Sequence, residues 1–145
     1  MTHQDVGHYR AKHPTDTKLD PKIAEAIKQK TEDGRITCAA AHEIAHERAV
    51  SPGDVGVAMD LLETRITKCQ LGLFGYSPQK KVVRPAENVT SELEETIKNS
   101  LEDNRISCLS CWEIAERFGI AKIDVSAACE ALQVRVSSCQ LGAFQ

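Results

Sequence analysis

The residues best suited to chemistry are His42-Glu43-Ile44-Ala45-His46. Two histidines four apart lie on one face of a helix and can share a Zn²⁺ ion, while the enclosed glutamate can act as base on a metal-bound water. Cys108-x-x-Cys111 is a second candidate. Its spacing is that of a thiolate pair on a metal, and Cys139 could complete the set. A third group is basic: Arg65, Lys68 and Arg135, with Lys80, Lys81 and Arg84 in a proline-containing stretch, could contact the phosphates of a nucleic acid. No glycine-rich phosphate loop, Gly-x-Ser-x-Gly elbow or catalytic triad accompanies them. The expectation is therefore a protein that is not an enzyme and has no cofactor.

These candidates are weighed by an internal duplication. Residues 21–75 align without a gap to residues 91–145, with 21 of 55 positions identical. Glu32-Asp33-Gly34-Arg35-Ile36-Thr37-Cys38 returns as Glu102-Asp103-Asn104-Arg105-Ile106-Ser107-Cys108, and Cys69-Gln70-Leu71-Gly72 as Cys139-Gln140-Leu141-Gly142. Two copies are too few for a solenoid, so a pair of small domains is expected. The second copy has Trp112-Glu113-Ile114-Ala115-Glu116 where the first has the histidine motif. The same helix thus forms without imidazoles, which favours a surface pair at His42 and His46. Cys111 and Cys129 face Ala41 and Met59 in the first copy. Positions that accept Ala and Met favour core thiols over a metal or redox site.

The elements that must position these residues follow from periodicity. Val89, Leu93, Ile97 and Leu101 recur at four-residue steps and predict an opening helix, capped by Thr90 or Ser91 and stopped at Asp103-Asn104 as the first copy is stopped at Asp33-Gly34. Arg35-Ile36-Thr37 and Arg65-Ile66-Thr67 alternate as half-buried strands do, as do Arg105-Ile106-Ser107 and Arg135-Val136-Ser137. Each pair is expected to form a two-stranded ribbon. Two short helices lie between the strands, the second helix capped by Thr37 or Ser107. The third is announced in copy one by Ser51-Pro52-Gly53-Asp54, and less well in copy two by Ala121-Lys122-Ile123-Asp124. Its apolar stripe is Val55, Ala58 and Leu62, repeated as Val125, Ala128 and Leu132.

Ile114-Ala115, Phe118-Gly119-Ile120, Val125 and Ala128 together resemble the helix-turn-helix superfamily in its winged-helix version. Copy one departs from that pattern, with Ala49 in place of the turn glycine and Arg48 in place of Phe118, so its turn is expected to be shifted or looser. The expected fold is mainly α with minimal β: two tandem winged-helix-like domains, each three helices plus a two-stranded ribbon. Residues 1–20, with His3, His8 and His13, read as a mobile tail; 21–75 and 90–145 are the domains, and 76–89 a linker.

The resemblance implies a third helix that enters the DNA major groove. The local charges oppose this, because residues 51–63 hold Asp54, Asp60 and Glu63 with no Lys or Arg, and 121–133 hold one Lys against two acids. The net charge of −3 gives a nucleic-acid binder no help either. Two partner readings stay open: DNA through the strand ends and linker, or a protein partner or homodimer through the third helices. A cysteine-based metal or redox sensor is a third reading of function. No apolar run reaches the length of a membrane span, and without an apolar leader the expected location is the cytoplasm. The expected class is a helix-turn-helix-type regulatory or interaction protein.

Overall fold

A computed structural model describes residues 8–145. The chain is mainly helical, with two small parallel two-stranded sheets. Two compact units are present.

Unit 1 comprises the described part of Met1–Cys69 together with Gln140–Phe144. Its elements are a 3-10 turn at Tyr9–Lys12, α1 (Pro21–Lys30), β1 (Arg35–Thr37), α2 (Cys38–Glu47), α3 (Pro52–Leu61) and β2 (Arg65–Thr67). Thr37 caps α2 by accepting from the Ala40 amide, and Ser51 and Asp54 form a reciprocal capping box at α3. The expected caps are therefore in place. Asp33-Gly34, expected to stop the first helix, does something else. α1 ends at Lys30, and Asp33 and Gly34, with φ of 51° and 72°, make a tight hairpin turn in which Glu32 and Arg35 exchange both backbone hydrogen bonds. The same residue types serve helix stops and turns of this kind, since both need positive φ.

The ribbon pairs β1 with β2 as expected, with Arg35 beside Arg65, Ile36 beside Ile66 and Thr37 beside Thr67. The strands run parallel. A hairpin would make them antiparallel, but here α2 and α3 fill the crossover, which is long enough to bring the chain back in the same direction. Ile36 and Ile66 point inward and join Ile23, Ile27, Ile44, Val55 and Met59 in the core. That core is closed by two segments from outside the 21–69 stretch. Tyr9 is buried, and its amide and that of Arg10 donate to the Glu63 carboxylate. The described part of the stretch expected to be a mobile tail is thus docked; His3 lies outside the described residues. Leu141 is the second closure. A Cβ on Gly56 would sit 2.8 Å from the Leu141 carbonyl carbon, so only glycine lets this backbone lie against α3.

Unit 2 comprises Gln70–Cys139 and Gln145. It contains α4 (Ser91–Asn99), β3 (Arg105–Ser107), α5 (Cys108–Phe118), α6 (Lys122–Ala131) and β4 (Arg135–Ser137), with β3 and β4 again parallel. Thr90 caps α4, Ser107 caps α5, and α6 has no side-chain acceptor at Ala121. Leu71 and Val83 are buried in this unit, Gly72 lies against Ile123 and Val83, and the Ala86 amide donates to the Ala127 carbonyl on α6. Part of the expected linker is therefore packed. The compact units and the sequence repeats consequently differ at their ends: the Gln-Leu-Gly segment of each repeat belongs to the unit built on the other.

The turn between the second and third helices is the same in both units. Gly119 takes φ 64° after α5, and Ala49 takes φ 54° after α2. Val50 donates to Ala45 as Ile120 donates to Ala115. The turn in copy one is therefore not shifted, and an alanine is held where glycine is preferred. Ala49→Gly is expected to raise unit 1 stability by about 1 kcal/mol, read as a higher denaturation midpoint; an unchanged or lower midpoint would show that Ala49 carries no strain.

Candidate functional site

Each ribbon sets two arginines side by side. In unit 1 they are Arg35 and Arg65, and in unit 2 Arg105 and Arg135. Alternation along a strand sends the central residues inward and the flanking ones outward. Ile36, Ile66 and Ile106 are accordingly buried, and the arginines stand on the opposite face, three of them exposed and Arg65 half-buried. Among the described residues none of the four guanidinium groups has an ion pair or a side-chain hydrogen bond. Arg35 and Arg105 were not among the basic candidates read from the sequence. Their signal was present in the fourfold Arg-Ile/Val-Thr/Ser pattern, and strand register turns it into pairs.

The other basic candidates are distributed over the two units. Arg65 and Lys68 belong to unit 1; Lys80, Lys81, Arg84 and Arg135 belong to unit 2. Lys68, Lys80 and Arg84 are exposed. Lys81 is occupied by Glu130, 2.6 Å away.

The histidine motif lies on α2 as expected. His42 is half-buried and His46 exposed, one turn apart. Glu43, which would have to act as base, accepts from Lys30 at 2.9 Å, and Glu47 lies 3.7 Å from the same ammonium. The hydrogen bond that Lys30 donates to Glu43 is the main cause of a raised Lys30 pKa, with the charges of Glu43 and Glu47 adding to it against a desolvation effect. In unit 2 the place of His42 is taken by Trp112, whose ring carries the Lys122 ammonium at 4.5 Å.

The cysteines divide differently from the sequence grouping. Cys108 and Cys111 are buried on α5, and Cys139 is half-buried. Among the described residues no three His, Cys, Asp or Glu side chains group as a ligand set would. Cys111 is instead hydrogen-bonded to Cys129 of α6, which holds the Cys129 thiol below its ordinary pKa although burial and the Glu130 charge push it up. Both thiols are buried, as are Ala41 and Met59 at the matching positions of unit 1. A small-plus-large pair and two medium side chains fill equivalent space, which is what helix packing requires.

The third helices differ in how much they expose. In α3, Val55, Gly56, Ala58, Met59, Asp60 and Leu61 are all buried. Asp60 accepts from His13 at 2.8 Å and pairs with Lys12 at 3.3 Å, so the N-terminal segment lies over this helix. In α6, Val125, Ser126, Ala128 and Cys129 are buried. No described helix is long and apolar enough to cross a membrane. Comparison with protein-family models, with curated proteins and with solved structures gives no match.

Proposed function

We propose that the chain is a non-enzymatic regulatory and interaction module of helix-turn-helix descent, acting in the cytoplasm on a protein partner, whose third helices do not read DNA. The tandem winged-helix-like reading is supported by the helix–strand–helix–helix–strand order in each unit and by the Gly119 turn between α5 and α6. The parallel ribbon is a departure from a hairpin wing.

One observation carries the preference for a protein partner over DNA. Six of the ten residues of α3 are buried, and the helix contains neither Lys nor Arg. A recognition helix must expose side chains that reach base edges, and phosphate contacts must supply most of the affinity. α3 offers neither, and the acid it does expose, Asp54, would meet the phosphates with the wrong charge.

The reading is tested by titrating the full chain into labelled random-sequence duplex across a salt series. No binding is expected even at about 50 mM salt, where phosphate contacts are strong. Binding whose logarithm falls steeply with the logarithm of salt would establish phosphate contact and replace the protein-partner reading with the DNA one.

A further inference from the structure

The arginine ladders stand apart because the fold has no use for them. A core residue repeated in both copies is explained by packing. Arg35, Arg105 and Arg135 are exposed and Arg65 is half-buried, yet both aligned positions carry arginine in both copies. Neighbouring parallel strands lie about 4.8 Å apart, so the two guanidinium stems of a ladder start at that spacing on one face. Like charges directly across a ribbon destabilise it. The acids nearest along the chain are Glu32 and Asp33 beside Arg35, Glu63 beside Arg65, and Glu102 and Asp103 beside Arg105; among the described residues none lies within ion-pair distance of an arginine, and Glu63 is held by the Tyr9 and Arg10 amides.

The missing partner can be described by its charge and shape. Two positive charges whose stems start one strand spacing apart can converge on one dianion. A tetrahedral oxyanion presents oxygens in two directions and can meet two planar guanidinium forks at once, whereas a carboxylate fills a single fork. A phosphate monoester carries nearly two negative charges at neutral pH; a backbone phosphodiester of nucleic acid carries one. We propose that each arginine ladder is a clasp for one dianionic phosphate group, taken as free phosphate or as the monoester of a small molecule, so that the chain has two equivalent sites. This does not depend on the proposed function, and it would give a regulatory module a signal to respond to.

The test uses the full chain at constant low ionic strength, with inorganic phosphate or glycerol 3-phosphate replacing chloride. At 10-fold excess over the dissociation constant each unit gains about 1.4 kcal/mol, so a rise in the wild-type thermal midpoint of about 6–11 °C is expected. The quadruple variant R35Q/R65Q/R105Q/R135Q should show no rise. Because it has lost the like-charge repulsion, its midpoint in chloride should equal or exceed that of the wild type, which also shows that it folds. By calorimetry, R35Q/R65Q alone should lower the stoichiometry from two to one. A larger response to glycerol 3-phosphate than to phosphate identifies a monoester ligand, and equal responses identify free phosphate. The proposal is overturned if neither phosphate nor glycerol 3-phosphate raises the midpoint over chloride at equal ionic strength, or if the quadruple variant responds like the wild type.

Discussion

Leu141→Ala is expected to destabilise unit 1, although Leu141 is encoded in the second repeat. The side chain is 2% exposed, and its backbone rests on Gly56 of α3. Emptying a buried leucine site costs about 2–5 kcal/mol. The segment that carries Leu141 leans on unit 1 through this side chain, so its release adds to the loss. The Lys12 ammonium, which donates to the Gly142 carbonyl, loses its acceptor at the same time. Hydrogen exchange provides the measurement: amides of α3 should lose protection far more than those of α6. If protection falls mainly in α6, the segment does not close unit 1. Gly56 makes the contact specific, since any side chain there would push the Leu141 backbone away.

The second large effect concerns Asp60, whose side chain is 3% exposed. Its Oδ2 meets His13 and Lys12, and Oδ1 has no hydrogen-bond partner among the described residues. A buried carboxylate that loses its cationic partners becomes an uncompensated charge in a poor solvent, and such losses cost about 3–5 kcal/mol. Lys12→Ala combined with His13→Ala should therefore lower stability by about 3 kcal/mol, near the bottom of that range because the N-terminal segment can lift and admit water. Adding Asp60→Asn to this double variant should restore most of the loss, because the neutral amide needs no counter-charge. A double variant as stable as wild type, or one that Asp60→Asn does not rescue, would show that the ion pair contributes nothing.

Much of the local structure was legible in the chain. The caps at Thr37, Ser51, Thr90 and Ser107 form as their residue types indicate, and the four Arg-Ile/Val-Thr/Ser segments are strands paired as expected. Strand direction was not legible, because alternation along a strand is the same whichever way its neighbour runs. Nor was the fate of Tyr9, a lone aromatic whose burial depends on Glu63 fixing its backbone from more than fifty residues away. The ending of each repeat is the clearest case. Leu71 and Leu141 sit in identical Cys-Gln-Leu-Gly contexts, so local sequence cannot say which copy each one closes. The candidate site was half-visible: Arg65 and Arg135 stood out as basic, while Arg35 and Arg105 acquire meaning only through register. The cysteine grouping missed Cys129 because its neighbour, Cys111, is across a helix pair rather than close in sequence.

The traded endings have a consequence for how this molecule could be divided. A repeat cut out at its sequence boundaries would keep a closing peptide and lose the one that fits its own third helix. It would regain closure only by meeting a second copy, at a rate and yield set by how much protein is present. Joining two repeats in one chain replaces that concentration with the fixed local concentration that a short tether imposes. The duplication therefore makes each unit's completion a property of a single molecule, independent of dilution.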